Sequence, residues 1–141
     1  MKPAVCRFSI SMDPELAEQL DTLTGAKGFA NRSQAVAHMV RDELVDFYAH
    51  QGRHEVAGTV TLVFDHHHRD LQHRLTNIQH DFQKRIISVM HVHLDHHNCM
   101  EVLAVRGPAE EVRKLADRLT TVKGIKHGTL TLTTTGKEFS K

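Results

Sequence analysis

The sequence has little of what would mark a secreted or membrane-spanning chain. Its two cysteines, Cys6 and Cys99, lie far apart in 141 residues, which suits a reducing cytosol better than a disulfide framework. A membrane span would need about 18 consecutive apolar residues, and no such run is present. The first residues, MKPAVCRFSISMD, lack the apolar core of a signal peptide. We therefore predict a cytoplasmic protein with no membrane partner.

Excess charge and catalytic motifs are also missing. The formal net charge is +1, so no strong basic field indicates nucleic acid. The sequence contains no glycine-rich phosphate loop and no G-x-S-x-G motif. Asp42 and Glu43, like Glu110 and Glu111, are adjacent on predicted helices, so their carboxylates diverge and cannot act as an acid/base pair. These absences predict that the chain is not an enzyme.

Histidine is the one residue type present in excess. The chain has 13 histidines, and histidine is the commonest metal ligand as well as a pH-sensitive group. Many of them fall in two segments, DHHHRD at 65–70 and SVMHVHLDHHNCMEV at 88–102. The first segment is typical of a solvated helix start. The second also holds Cys99 and is the stronger candidate for a metal site.

The first 51 residues predict a small domain that a single copy cannot complete. Residues 4–12 alternate apolar and polar side chains, which indicates a half-buried strand with Cys6 on its apolar face. Asp13 and Pro14 mark the start of one helix, and Asn31 with Gln34 marks the start of a second. Because a lone strand leaves its edge groups unpaired, we expect two chains to pair these strands into an antiparallel ribbon over four helices.

A second domain follows the polar linker at 51–55. Strand and helix patterns alternate in the order β-α-β-β-α-β, which is the ferredoxin-like arrangement. The strands are predicted at 55–65, 85–95, 98–106 and 124–133, and the helices at 66–82 and 108–121. The sequence thus predicts an α+β chain with domains at 1–51 and 52–134 and a flexible tail at 135–141.

The predicted strand VMHVHL places two imidazoles side by side. His91 and His93 are two residues apart and so share a face. Cys99 joins that face if the intervening loop is 95–97, whereas a two-residue loop at 96 and 97 would place it on the opposite face. Two imidazoles and a thiolate suit Zn, Ni or Cu and do not suit Mg or Ca. A fourth ligand is needed, and spacing alone does not choose among His68, His73, His80, His96, His97 and His127.

The polar face of the first strand is a candidate DNA reader. A two-stranded ribbon fits the major groove of B-DNA, and the solvent-side residues here are Arg7, Ser9 and Ser11. The start of the second helix, at Asn31, Arg32 and Ser33, would present amides and a cation to a phosphate. Residues 1–55 hold six basic and eight acidic side chains, so the phosphate attraction would have to come from a local patch.

Taken together, these motifs resemble the family of nickel-responsive transcriptional regulators, NikR. The resemblance runs from about residue 5 to about residue 130. Its most specific elements are IQH at 78–80, HVH at 91–93 and Cys99. NRS at 31–33, the alternation of Arg7, Ser9 and Ser11, and GIKHG at 124–128 are similar to further family elements.

The resemblance implies a fold, a function and a metal. It implies a ribbon-helix-helix DNA-binding domain with a swapped β-ribbon, followed by an ACT-type regulatory domain. It also implies one Ni(II) per subunit, held by His91, His93 and Cys99 of one subunit and by His80 of a neighbouring subunit, with Glu101 supporting the site. The implied partners are double-stranded operator DNA and three further copies in a homotetramer, and the implied role is repression of nickel uptake genes.

The sequence departs from the family pattern at one point and leaves other readings open. The family's second cation site uses acidic residues early in the second helix, where this chain has Gln34 and His38. The histidines of the linker and of DHHHRD could form weaker additional metal sites, and His66, His67, His68 and His73 have no assigned role. One alternative is a ribbon-helix-helix repressor that senses another metal or a small molecule. The other is a metal-handling protein that does not bind DNA.

Overall fold

The computed structural model describes residues 4–139, so the first three residues of the predicted first domain and the last two of the predicted tail lie outside the described residues. The chain divides into two compact units, one ending at Arg41 and the other beginning at Asp42. The domain boundaries predicted at 51 and 134 stay predictions. Within the described residues, no helix is long and apolar enough to cross a membrane.

The first unit contains helix α1, Pro14–Ala26, and most of helix α2, Arg32–Ala49. The start of α1 is the predicted one, because Asp13 Oδ1 accepts from the Leu16 N–H at 2.9 Å and Pro14 occupies the first helical position. An aspartate cap satisfies an N–H that has no partner inside the helix, and proline loses nothing there because its missing N–H would be unbonded.

The start of α2 is fixed by a reciprocal pair of side-chain bonds. Asn31 Oδ1 accepts from the Gln34 N–H at 2.9 Å, and Gln34 Oε1 accepts from the Ala30 N–H at 2.7 Å. This arrangement closely resembles a capping box, in which the two side chains satisfy each other's backbone groups. The predicted pairing of Asn31 with Gln34 is therefore confirmed, and the Gln34 side chain is committed to it.

Residues 4–13 have no strand in the single chain. Their apolar side chains lie in solvent, with Phe8 76% and Ile10 55% exposed. Cys6 is also exposed, which differs from its predicted burial. A strand forms only when a second strand satisfies its backbone groups, and a single copy offers these residues no such partner.

The second unit is a four-stranded antiparallel sheet with two helices. Its elements are β1 Glu55–Asp65, α3 Arg69–Asp81, β2 Ile86–His93, β3 Asn98–Pro108, α4 Ala109–Thr120 and β4 Ile125–Thr133. The strand order is β2-β3-β1-β4, and every neighbouring pair is antiparallel. An α+β unit of this kind is compatible with the predicted ferredoxin-like, ACT-type arrangement.

The core lies between α3, α4 and one face of the sheet. Alternate residues of the central strands β1 and β3 are buried, among them Phe64, Leu62 and Leu103. Leu71 and Leu75 of α3 and Val112, Leu115 and Leu119 of α4 pack against them. Because this packing spans both central strands, it fixes the positions of residues on their neighbour β2.

Strand β2 lies at the edge of the sheet and begins irregularly. The register shifts between Ile86 and Ser88, so Ile86 pairs with Val105 and Ile87 falls in a bulge. Strict alternation along the strand would put Ile87 on the face of His91, but the extra residue of a bulge reverses the alternation on one side of it. Ile87 is 65% exposed, and Val89, Met90 and Leu94 are exposed as well.

Candidate metal centre

The register of β2 against β3 brings the predicted ligands to one face. His93 pairs directly with Cys99, and His91 pairs with Glu101. The Leu94 N–H donates to the Asn98 carbonyl at 2.9 Å, which closes a loop at 95–97. This is the loop length that the sequence required for a shared face, and the two-residue alternative at 96 and 97 is wrong.

The loop is held by the carboxylate of Asp95. Its Oδ1 accepts from the backbone N–H groups of His97 at 2.8 Å and Asn98 at 2.7 Å. The Asn98 side chain and backbone, with the His97 N–H, hold the pKa of Asp95 down to about 2. The ionised Asp95 carboxylate therefore holds the loop at neutral pH, and the loop in turn maintains the pairing of His93 with Cys99.

The two imidazoles stand next to each other beside a buried thiol. The rings of His91 and His93 have their centroids 5.3 Å apart, and the edge of His91 faces Phe64 at 6.2 Å. Cys99 is fully buried, and its thiol donates to the Phe64 carbonyl at 3.4 Å. Burial, followed by the charges of Glu101 and Asp65, raises the pKa of Cys99. The thiol is therefore protonated at neutral pH, and a metal must displace its proton.

Glu101 is a buried carboxylate behind the ring of His91. Its side chain is 9% exposed, and its Oε2 lies 3.4 Å from His91 Nδ1. Its Oε1 accepts from Gln79 Nε2 of α3 at 2.5 Å. A carboxylate on one ring nitrogen orients a histidine and leaves the other nitrogen as the ligand. The supporting role that the family resemblance implies for Glu101 stays a prediction.

His80 is not brought to this cluster within the chain. Its neighbour Gln79 points to Glu101, and successive residues on a helix point about 100° apart. His80 itself is exposed. Its assignment as a ligand from a neighbouring subunit stays a prediction, as do the assignments of His91, His93 and Cys99. Two imidazoles and a thiolate on one rigid face fit a borderline ion such as Ni(II).

A second group of metal-binding side chains was not predicted as a set. Asp65, His67 and His97 each offer a ligand atom, and these atoms all lie within 4.8 Å of one another. The only signal for this set in the sequence is the D-x-H spacing of Asp65 and His67. His97 joins them because Asp65 at the end of β1 pairs with Asn98 at the start of β3.

The predicted DNA-facing residues remain on the surface of the first unit. Arg7, Ser9 and Ser11 are exposed. Arg32 is exposed too, but its guanidinium makes two bonds to the Asp21 carboxylate, at 2.6 and 2.8 Å. This contact lowers the pKa of Asp21, chiefly through the hydrogen bond. A phosphate would have to compete with Asp21 for Arg32.

Sequence comparisons point to nickel regulation. Residues 57–133 match a family model described as the NikR C terminal nickel binding domain. Two bacterial relatives are each named "Putative nickel-responsive regulator". The one from Solibacter usitatus is 52% identical over 133 residues, covering 94% of this chain and 96% of the relative. The one from Geobacter metallireducens is 54% identical over the same shares.

One structural likeness supports the fold alone. The structure of an uncharacterized protein from Thermotoga maritima matches with a TM-score of 0.50 and 11% sequence identity. The match covers 55% of this chain and 96% of that chain. At this identity, the likeness carries no information about function.

Proposed function

Because this chain belongs to the NikR family of nickel-responsive regulators, we propose that it is a nickel-dependent DNA-binding repressor of nickel uptake genes that acts in the cytoplasm. Membership of a family of regulators confirms the prediction that the chain is not an enzyme. The observation that carries the proposal is the pairing of His93 with Cys99, beside His91, on one face of a rigid sheet.

In the proposed site, one Ni(II) per subunit is held by His91, His93 and Cys99. Ni(II) with imidazole and thiolate donors favours a square plane, whereas Zn(II) favours a tetrahedron. Rigid strands are suited to holding donors in a plane because their side chains cannot easily rearrange. Copper should bind at least as tightly, so preference for nickel also depends on which metal is available. Glu101 orients His91 and adds negative charge behind it.

The fourth ligand in this proposal is His80 of a neighbouring subunit in a homotetramer. Two features of the chain support an assembly of this kind. His80 is exposed, and its neighbour Gln79, not His80, contacts Glu101 of the cluster. The edge strand β2, which carries His91 and His93, also exposes Ile87 and Met90, and an apolar sheet edge requires cover.

The proposed DNA reader is the ribbon formed when residues 4–13 of two copies pair. This pairing would cover Phe8 and Ile10, which the single chain leaves exposed. It would direct Arg7, Ser9 and Ser11 to the major groove, where arginine can contact guanine with two bonds. The start of α2, at residues 31–33, would contact the phosphates through its amides and through Arg32.

Nickel and DNA would then be coupled through the assembly. Nickel binding would order the helix that carries His80 and favour one arrangement of the two DNA-binding dimers. Repression follows if that arrangement is the one that spans a paired operator. Such coupling is reciprocal, so operator DNA would also tighten nickel binding.

A Ni(II) titration of the metal-free protein, followed in the near-ultraviolet, tests the site. We expect a thiolate-to-nickel band that saturates at one metal per chain. The band should be lost in Cys99→Ala and in His80→Ala, and it should persist in His73→Ala, which removes an exposed histidine from the same helix. A band that survives both ligand substitutions would contradict the proposed ligand set.

A gel-shift titration with and without nickel tests the coupling. The nickel-loaded protein should bind operator DNA more tightly than the metal-free protein, and Cys99→Ala should abolish the difference. Equal DNA affinity with and without nickel would show that nickel does not control repression.

A further inference from the structure

Asp65, His67 and His97 lie on three separate segments that meet at one corner of the sheet. Asp65 is the last residue of β1, His67 lies in the turn before α3, and His97 lies in the β2–β3 loop. Their ligand atoms are all within 4.8 Å of one another. Donor atoms around an ion with bonds of about 2.0–2.2 Å are roughly 3–4.4 Å apart, so small rotations of exposed rings would close the set.

The backbone already holds these segments together. The Asp65 Oδ1 accepts from the His67 N–H at 2.9 Å, and the His66 N–H donates to the His97 carbonyl at 3.1 Å. The second of these bonds ties the turn before α3 to the β2–β3 loop. That loop is itself fixed by Asp95. The order that a metal normally has to impose on its ligands is therefore largely present beforehand.

The ligand atoms are also in the right chemical state. His67 Nδ1 lies 3.1 Å from Asp65 Oδ1, and an ion bound between these two atoms would take the place of that contact. Hydrogen bonds from His67 lower the pKa of Asp65, so the carboxylate is ionised at neutral pH. The rings of His67 and His97 are both exposed, with centroids 5.4 Å apart, so an ion can reach them from solvent.

We propose that Asp65, His67 and His97 form a second metal site, which binds a divalent first-row transition ion such as Zn(II) with water completing its coordination. One carboxylate and two imidazoles suit such an ion. The set lacks a thiolate, so it should bind more weakly than a site that contains Cys99. Its ligands are separate from His91, His93 and Cys99, and binding here does not require the proposed nickel function.

Equilibrium dialysis of the full chain against Zn(II), with metal counted by mass spectrometry, tests this site. We expect two Zn(II) per chain for the unsubstituted protein, because the imidazole and thiolate ligands proposed for nickel also bind Zn(II). We expect one for His67→Ala, one for His97→Ala and one for Cys99→Ala. The double variant Cys99→Ala with His67→Ala should bind none at the same free Zn(II). His67 and His97 lie in exposed segments, so their loss should leave the fold intact.

Three results would overturn the second site. The Cys99→Ala variant could bind no Zn(II), which would show that Asp65, His67 and His97 do not bind the ion by themselves. His67→Ala and His97→Ala could retain the full count. The control His73→Ala could lower the count as much as they do, which would indicate general binding to exposed histidines. Failure of the nickel site is recognised separately, because it appears as a nickel band that is indifferent to Cys99→Ala.

Discussion

Replacing Glu101 by glutamine should weaken nickel binding while leaving the fold intact. The change removes the negative charge 3.4 Å from His91 Nδ1 but keeps the side-chain volume and an oxygen that can accept from Gln79. When nickel binds the other ring nitrogen, positive charge moves onto the imidazole, and the carboxylate stabilises it. Glutamine can offer only a dipole in its place.

The expected loss can be bounded from this distance. Two full charges 3.4 Å apart interact by about 5 kcal/mol at an effective dielectric constant of about 20. This is an upper limit, because only part of the nickel charge reaches the ring. Loss of a partner behind a metal-bound histidine costs about 10–100-fold in affinity, or about 1.4–2.8 kcal/mol. We expect Glu101→Gln to fall within that range.

A chelator competition assay measures this loss, and thermal unfolding of the metal-free protein checks the fold. Glu111→Gln is a matched control, since Glu111 is a half-exposed carboxylate bonded to Arg85 in another part of the unit. Glu101→Ala should differ from Glu101→Gln by also unfolding more easily, by about 1–3 kcal/mol, because the half-buried Gln79 amide loses its acceptor. An unchanged nickel affinity in a folded Glu101→Gln protein would refute the reasoning.

Further predictions concern the core, the chain end and the DNA face. Leu103→Ala should lower the free energy of unfolding by about 2–5 kcal/mol in urea denaturation, because Leu103 is fully buried. Hydrogen bonds from Thr134 and His54 lower the pKa of Glu138 from 4.5 to about 2. The ionised carboxylate therefore stabilises the folded state above pH 4.5, and this stabilisation is lost as the pH falls towards 2. The protection factors of amides near Glu138, corrected for the intrinsic exchange rate at each pH, should therefore fall below pH 4.5 and be less pH-dependent in Glu138→Gln. Arg7→Ala should weaken operator binding by about 1–3 kcal/mol in a gel shift and relax preference at one base pair.

The pattern of apolar residues was enough to predict the second unit. Period-two alternation placed β1 at 55–65, where the structure has Glu55–Asp65. Helix α3 begins at Arg69, three residues later than predicted. The difference arises because His66–His68 form a turn, in which the Asp65 carboxylate accepts from the His67 N–H. A local side-chain bond of this kind competes with helix formation, and periodicity does not report it.

The arrangement of the candidate site depended on register, which the sequence left open. His93 and Cys99 can face each other only if the loop between them has an odd number of residues. The hydrogen bonds to Asp95 that hold this loop join residues only two or three positions apart. The set of Asp65, His67 and His97 needed the pairing of Asp65 with Asn98 as well. Pairings between distant residues follow from the packing of the whole sheet, so spacing alone could not place these three together.

The division of ligands between a strand pair and a helix has a consequence for regulation. In the proposed site, Cys99, His91 and His93 are placed by the packed sheet, whereas the exposed His80 would come from another copy. If a neighbour's His80 completes the site, nickel affinity depends on assembly. By linkage, nickel then stabilises the assembly by the same factor. A ligand that comes from a second subunit therefore makes the arrangement of subunits depend on the concentration of the ion. A site completed within one chain would not have this effect.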